Sequence, residues 1–163
     1  MTQKVRQMVR AAVIGALYVV LTHLQNLIFP NSASMAIQFR ASEALCVLSF
    51  FTPAAIPGLT VGCLLFNLTF IGSLPLDFLV GTLATLGATA SMRLLRRLPF
   101  LGLLMPALWN AFLVGWELSV YIGGGFWLNA LYVAIGEAAV LLTLGTALYY
   151  ALKTRNLHTR LFS

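Results

Sequence analysis

The chain has 163 residues, 60% of them hydrophobic and 9% charged, against roughly 45–50% and about 25% in an ordinary soluble domain. So few charges cannot cover a water-soluble fold, which excludes a soluble enzyme, a large extramembrane domain and a disordered tail. The net charge of +6 does not point to nucleic acid, because nine of the ten basic residues sit in three short clusters outside the apolar runs, the pattern that orients membrane helices.

A membrane-crossing helix needs about 20 apolar residues, and six such segments fit along the chain. The first runs from Val9 to Phe29, after Lys4, Arg6 and Arg10, and stops at the turn sequence Phe29-Pro30-Asn31-Ser32. Its charge-free run from Ala11 to Phe39 exceeds the apolar core of a signal peptide, so it is expected to be a retained helix. The second starts near Ala36 and ends before Thr52-Pro53, and the third covers Ile56 to Ile71, ending at Gly72-Ser73-Leu74-Pro75. The fourth covers Leu76 to Leu95 and stops at Arg93, Arg96, Arg97 and Pro99. The fifth runs from Leu101 to Tyr121, ended by Gly123-Gly124-Gly125, and the sixth from Phe126 to Leu152, ahead of Lys153, Arg155 and Arg160.

The predicted fold is therefore an all-α integral membrane protein, one transmembrane domain over residues 1–163 with six transmembrane helices and both termini cytoplasmic. All three basic clusters then face the cytoplasm, and the loops at Pro30–Met35, Gly72–Pro75 and Gly123–Gly125 face outward without a basic residue. The neutral Pro30–Met35 loop is expected to cover a ligand bound beneath it.

Metal, nucleotide and nucleophile motifs are missing from the sequence. Cys46 and Cys63 lie in apolar stretches without CxxC spacing and read as small buried residues. His23 and His158 suggest no metal, no GxxxxGK[ST] loop is present, and no cofactor is expected.

The polar residues inside the apolar runs carry the functional signal. Gln38, Arg40 and Glu43 fall in the first two turns of the second predicted helix, Asn67 near the outer end of the third, and Asp77 at the start of the fourth. Asn110 lies mid-way along the fifth with Glu117 two turns further out; Asn129 opens the sixth, and Glu137 lies about three turns in. All four acids and the one unclustered arginine are thus expected in the outer half of the bilayer, with a net charge of −3 there. A charge at the bilayer centre costs about 2.5–3.5 kcal/mol on insertion scales, so each needs a reason. Arg40 and Glu43, three apart, are explained as well by a mutual ion pair as by a ligand, and Asp77 by a helix cap. Glu117 and Glu137 have no basic residue left to neutralise them, which leaves ligand contact or a protonated buried carboxyl. Trp116, beside Glu117, is a candidate to stack on a planar ligand. Near the cytoplasmic end of the first helix, Ala11, Ala12, Gly15 and Ala16 form overlapping small-xxx-small pairs that suit close helix approach, either internal or to a partner.

The stretch Gln38-Phe39-Arg40-Ala41-Ser42-Glu43-Ala44-Leu45, continuing through Thr52-Pro53-Ala54-Ala55-Ile56-Pro57-Gly58-Leu59 and Gly62-Cys63, resembles the QueT family. Pro106, Asn110, Glu117 and Gly136-Glu137 also match the pattern expected of it. These are predicted queuosine-precursor transporters, the substrate-binding S components of energy-coupling factor (ECF) transporters. The resemblance implies a six-helix S-component fold in a prokaryotic plasma membrane, with a partner module of one transmembrane coupling protein and two cytoplasmic ATPases. It further implies that the small-residue face of the first helix, Ala12 and Ala16, meets the coupling protein.

The residue chemistry agrees with that substrate class. A 7-deazaguanine presents N1–H and an exocyclic NH₂ side by side to one carboxylate, and its O6 takes a donor such as Asn, Gln or Arg. A 7-aminomethyl group adds a cation that suits a second carboxylate. Queuine and 7-cyano-7-deazaguanine remain alternatives, as do an S component for another small vitamin, a self-standing facilitator, and a small intramembrane enzyme using Glu117 and Glu137 as acid and base. No nucleophile or metal set accompanies those two acids, and no inverted repeat supports a facilitator.

Overall fold

The computed structural model describes residues 2–30 and 39–154. Gln38, all but the first residue of the Pro30–Met35 loop, Arg155, His158 and Arg160 lie outside them. Every regular element among the described residues is helical. Helix α1 (Gln3–Ile28) is followed by a 310 helix (Ala41–Phe50), α2 (Ala55–Thr69), α3 (Asp77–Leu94), α4 (Pro99–Leu103), α5 (Met105–Tyr121) and α6 (Phe126–Val140). A π turn (Leu141–Gly145) then leads into α7 (Thr146–Thr154). Three stretches among the described residues are long and apolar enough to cross a membrane: Gln3–Ile28, Pro99–Tyr121 and Phe126–Thr154. The other three expected spans are shorter or less apolar.

The second expected span needs correction. The α-helix anticipated from Ala36 is a ten-residue 310 helix that begins at Ala41. Arg40 stands just before it in extended conformation (φ −112°, ψ 95°), so Arg40 and Glu43 are not one α-helical face. With three residues per turn, side chains three apart eclipse one another. Glu43, Cys46 and Ser49 therefore stack in one buried row. The fifth span is also broken, at Leu104, where Pro106 lacks the N–H that would continue the α4 ladder into α5.

Helices α1 and α2 meet backbone to backbone. A Cβ on Gly58 would lie 2.6 Å from the Ala11 carbonyl oxygen, and one on Gly62 would lie 2.9 Å from that of Gly15. Only glycine permits this approach, which carries Tyr18 against the 310 helix and α2. Tyr18, Cys46, Val47, Leu59, Cys63 and Phe66 form the centre of the larger apolar core. Val80, Val114, Leu118 and Val133 join α3, α5 and α6 in a second core. The connection before α6 turns at Gly123 (φ +86°) and Gly124 (φ +79°), a left-handed conformation that glycine adopts without a Cβ penalty. The Asn129 amide closes this turn by donating to the Gly123 carbonyl at 3.0 Å.

The small residues of α1 divide between two faces. Ala11 and Gly15 turn toward α2, whereas Ala12 and Ala16 are exposed. Beside them runs an apolar groove of about 840 Å³, floored by Ala11, Gly15 and Gly58 and edged by Ala12, Ala16 and Pro57.

Gly62→Val is expected to force α1 and α2 apart and to lower stability by about 1–3 kcal/mol, read as a fall in the thermal unfolding temperature in detergent. Gly145→Ala, whose Cβ would meet nothing closer than 3.5 Å, should melt near the parent.

Candidate functional site

The buried charged side chains among the described residues are Arg40, Glu43, Asp77, Glu117 and Glu137, each no more than 8% exposed. The helices bring them together around the interior ends of α1, α2, α3, α5 and α6. Two lobes are distinguishable.

The first lobe is built on the 310 helix. The Tyr18 hydroxyl of α1 donates to Glu43 Oε1 at 2.6 Å, and Arg40 Nη1 donates to the Tyr18 oxygen at 3.3 Å. Tyr18 thus relays between the cation and the acid. The other carboxylate oxygen, Glu43 Oε2, accepts from the Cys46 thiol at 3.2 Å, the contact that the 310 stacking of residues three apart provides. Arg40 also lies 3.9 Å from Cys63 Sγ and 5.5 Å from the centre of the Phe66 ring, so its flat guanidinium rests on an apolar floor. Glu137 of α6 reaches the same lobe, within electrostatic range of Glu43 and Arg40, with its Oε2 buried and unpartnered among the described residues.

The second lobe lies between α2, α3 and α5. The Asp77 carboxylate accepts from the Leu74 backbone N–H at 2.7 Å, which fastens the turn before α3; it caps no N–H of the helix itself. The Asn67 amide donates to the Asp77 carbonyl at 2.9 Å and to Cys63 Sγ at 3.5 Å. Cys63 therefore touches both lobes. Asn110 and Glu117, expected on one face of their helix, are both buried on α5. Glu117 faces Asp77 within side-chain hydrogen-bonding reach, acid against acid, an arrangement that two carboxyls hold when they share a proton; no other donor reaches either Glu117 oxygen among the described residues. Asn110 Nδ2 and Asn67 Oδ1 are likewise buried without partners.

A buried polar atom left unpaired costs about 1–3 kcal/mol, and a carboxylate more. Glu137 Oε2, Asn67 Oδ1 and Asn110 Nδ2 are buried atoms of this kind, and each calls for a partner such as an ordered water or a small polar ligand.

Of the residues singled out in the sequence, Arg40, Glu43 and Glu137 meet in the first lobe and Asn67, Asp77 and Glu117 in the second, while Asn110 is buried on α5. Trp116 is not: it is 48% exposed on the outer side of α5, turned away from its buried neighbour Glu117. Trp109 is structural as well, lying over Gly87 and donating to Ser91 Oγ at 3.1 Å. Gln38 lies outside the described residues. Tyr18 is a site residue that the sequence reading passes over, although it follows Ala11 and Gly15 at helical spacing on the face that meets α2. The two cysteines are free and buried, as expected of small core residues, yet each also makes polar contacts.

A helical membrane protein of transporter type is the class that these apolar helices and their enclosed polar interior define. The model of the QueT transporter family matches residues 8–154, and the chain belongs to that family. It is also similar to the queuosine precursor transporter QueT of Lactococcus lactis subsp. cremoris (strain MG1363), with 38% identity over 84 residues. That alignment covers 51% of this chain and 47% of the relative, so the chain spans about half the length of the curated relative it matches. No solved structure matches the chain.

Tyr18→Phe removes the relay and leaves Glu43 Oε1 without its donor. It should lower the stability of the ligand-free protein by about 1–3 kcal/mol, measured by thermal unfolding in detergent beside a Tyr149→Phe control.

Proposed function

We propose that this protein is the substrate-capture subunit of an ECF-type importer, taking a queuosine precursor from outside the cell for ATP-driven uptake. On this reading residues 1–163 form one transmembrane domain of six helices in a prokaryotic plasma membrane, with both termini cytoplasmic. The site opens to the outer half of the bilayer, and the chain performs no chemistry on its ligand. Family membership supports the transport role. The buried carboxyls of Glu117 and Glu137, together with the unpartnered amide atoms of Asn110 and Asn67, support the choice of ligand.

The preferred ligand is 7-aminomethyl-7-deazaguanine or the related queuine. One carboxylate, that of Glu137, accepts the paired N1–H and NH₂ donors of the base, while an amide NH₂ such as that of Asn110 serves O6. The two facing acids Glu117 and Asp77 accommodate the ligand amine, because a cation between them relieves their mutual repulsion. Trp116, exposed on the outer side of α5, does not supply a face for the flat base. The partners are a transmembrane coupling protein and two ATPases. The groove beside Ala12 and Ala16 supports an approach of the coupling protein along α1 and α2, since small residues let helices close in lipid.

Four experiments test this reading. The compound that co-purifies with the protein, identified by mass spectrometry, should be a 7-deazaguanine; a different vitamin would overturn the substrate. Glu137→Gln should weaken binding about 10–150-fold, as expected for loss of a charge-assisted hydrogen bond. Glu117→Gln should weaken the 7-aminomethyl compound more than the 7-cyano one, and equal losses would remove Glu117 as the amine partner. Replacing both Ala12 and Ala16 with Leu should leave binding by the isolated subunit within a few-fold of the parent while abolishing uptake by the assembled complex. A matching collapse of binding would show that this face serves the fold instead.

A further inference from the structure

The 310 helix that carries Glu43 begins without a cap of its own: Arg40, at its N-cap position, makes no side-chain capping bond. The first N–H of a helix has no partner within the helix and must find one elsewhere. Here it is found on another helix. Gln25 of α1 accepts the Ala41 N–H on its Oε1 at 2.6 Å, and its Nε2 donates to the Phe39 carbonyl. One amide thus ties the backbone on both sides of Arg40. Seven residues earlier on the same stripe of α1, Tyr18 holds the Arg40 and Glu43 side chains, and between them Thr22 shares a hydroxyl bond of 2.6 Å with Ser42.

We infer that Gln25 is the positioning residue of the site: its two-ended strap across residues 39 and 41 holds Arg40 and Glu43 in their binding geometry. The primary amide suits the task because it offers a donor and an acceptor at once. Arg40 stands in extended conformation just before the 310 helix, its carbonyl accepting the Glu43 N–H at 2.9 Å, and the strap adds a hold on the backbone on either side of it. Gln25, Phe39 and Ala41 also line one side of an apolar cleft of about 540 Å³ whose other side is Ala139, Val140, Thr143 and Leu144. Glu137 lies one turn before Val140 on α6. The binding role rests on the ligand-site reading above; the strap itself does not.

The test uses the full chain in lipid nanodiscs, with Gln25→Leu to remove both bonds and Gln25→Glu to keep only the acceptor for Ala41. Without any ligand, amide hydrogen exchange at Ala41 should quicken about tenfold in Gln25→Leu, as expected when one hydrogen bond is lost, and less in Gln25→Glu. Unchanged exchange overturns the strap, and exchange that quickens equally through α1 and α2 overturns it as general loosening. In a second arm 7-aminomethyl-7-deazaguanine is titrated into the parent, Gln25→Leu, Arg40→Gln and the double variant. Gln25→Leu alone should weaken binding about tenfold, and less than about twofold more when Arg40 is already replaced, because a residue acting through Arg40 has nothing left to position. Fully additive losses overturn the positioning role. If the probe fails to bind the parent, the substrate reading falls, and the exchange result by itself upholds or overturns the strap.

Discussion

Four carboxyls and one guanidinium are enclosed in a mainly apolar interior, with Thr22, Ser42, Asn67 and Asn110 among the buried polar groups around them, and the rest of the structure is arranged around that imbalance. A single cation cannot neutralise four acids. Arg40 serves the first lobe, with Tyr18 extending its reach to Glu43 through a hydroxyl that accepts from one and donates to the other. Asp77 is satisfied by backbone at the start of α3. What remains are the carboxyls of Glu117, set against Asp77, and of Glu137, whose Oε2 finds no partner among the described residues. A protein keeps such groups at a cost of several kcal/mol when something from outside completes them.

Much of this was legible in the sequence because polar residues in apolar helices stand out, and helical spacing assigns them to faces. Asn110 and Glu117, seven apart, are buried together, and the turns at Pro30, Gly72 and Gly123 fall where their residue types require. The 310 helix was not legible. Its residues Ala41–Phe50 suit an α-helix as well, and it is packing against α1, α3 and the π turn that selects the tighter winding. Tyr18 was overlooked for a related reason: an aromatic in a membrane helix is unremarkable until the backbone contact at Gly58 and Gly62 shows how deep it is drawn. Trp116 illustrates the opposite error of proximity. Adjacent positions on a helix point about 100° apart, so the neighbour of a buried glutamate is free to face lipid.

Helix α1 organises the molecule through two opposite uses of small and polar residues. Toward its N-terminal end, Ala11 and Gly15 remove side-chain bulk so that α2 can touch backbone, and the neighbouring Ala12 and Ala16 leave the outer wall of that pair shallow. Toward its C-terminal end, Tyr18, Thr22 and Gln25 replace contact by bulk with contact by hydrogen bond. A rigid seam and an exchangeable one are thereby set along a single helix, so any displacement of the first is carried along the rod to the second.

The 310 helix and the π turn pack against each other beside Glu43 and Glu137, one wound tighter than an α-helix and the other looser. A 310 helix rises about 2.0 Å per residue against about 1.5 Å in an α-helix, so ten residues hold about 5 Å of length in reserve. Rewinding them would also take the row of Glu43, Cys46 and Ser49 out of alignment, since each residue would turn about 100° instead of about 120°. The geometry that stacks the thiol on the carboxylate therefore depends on the tighter winding, because an α-helix would exchange every i→i+3 bond of the segment for an i→i+4 bond and turn the three side chains out of line.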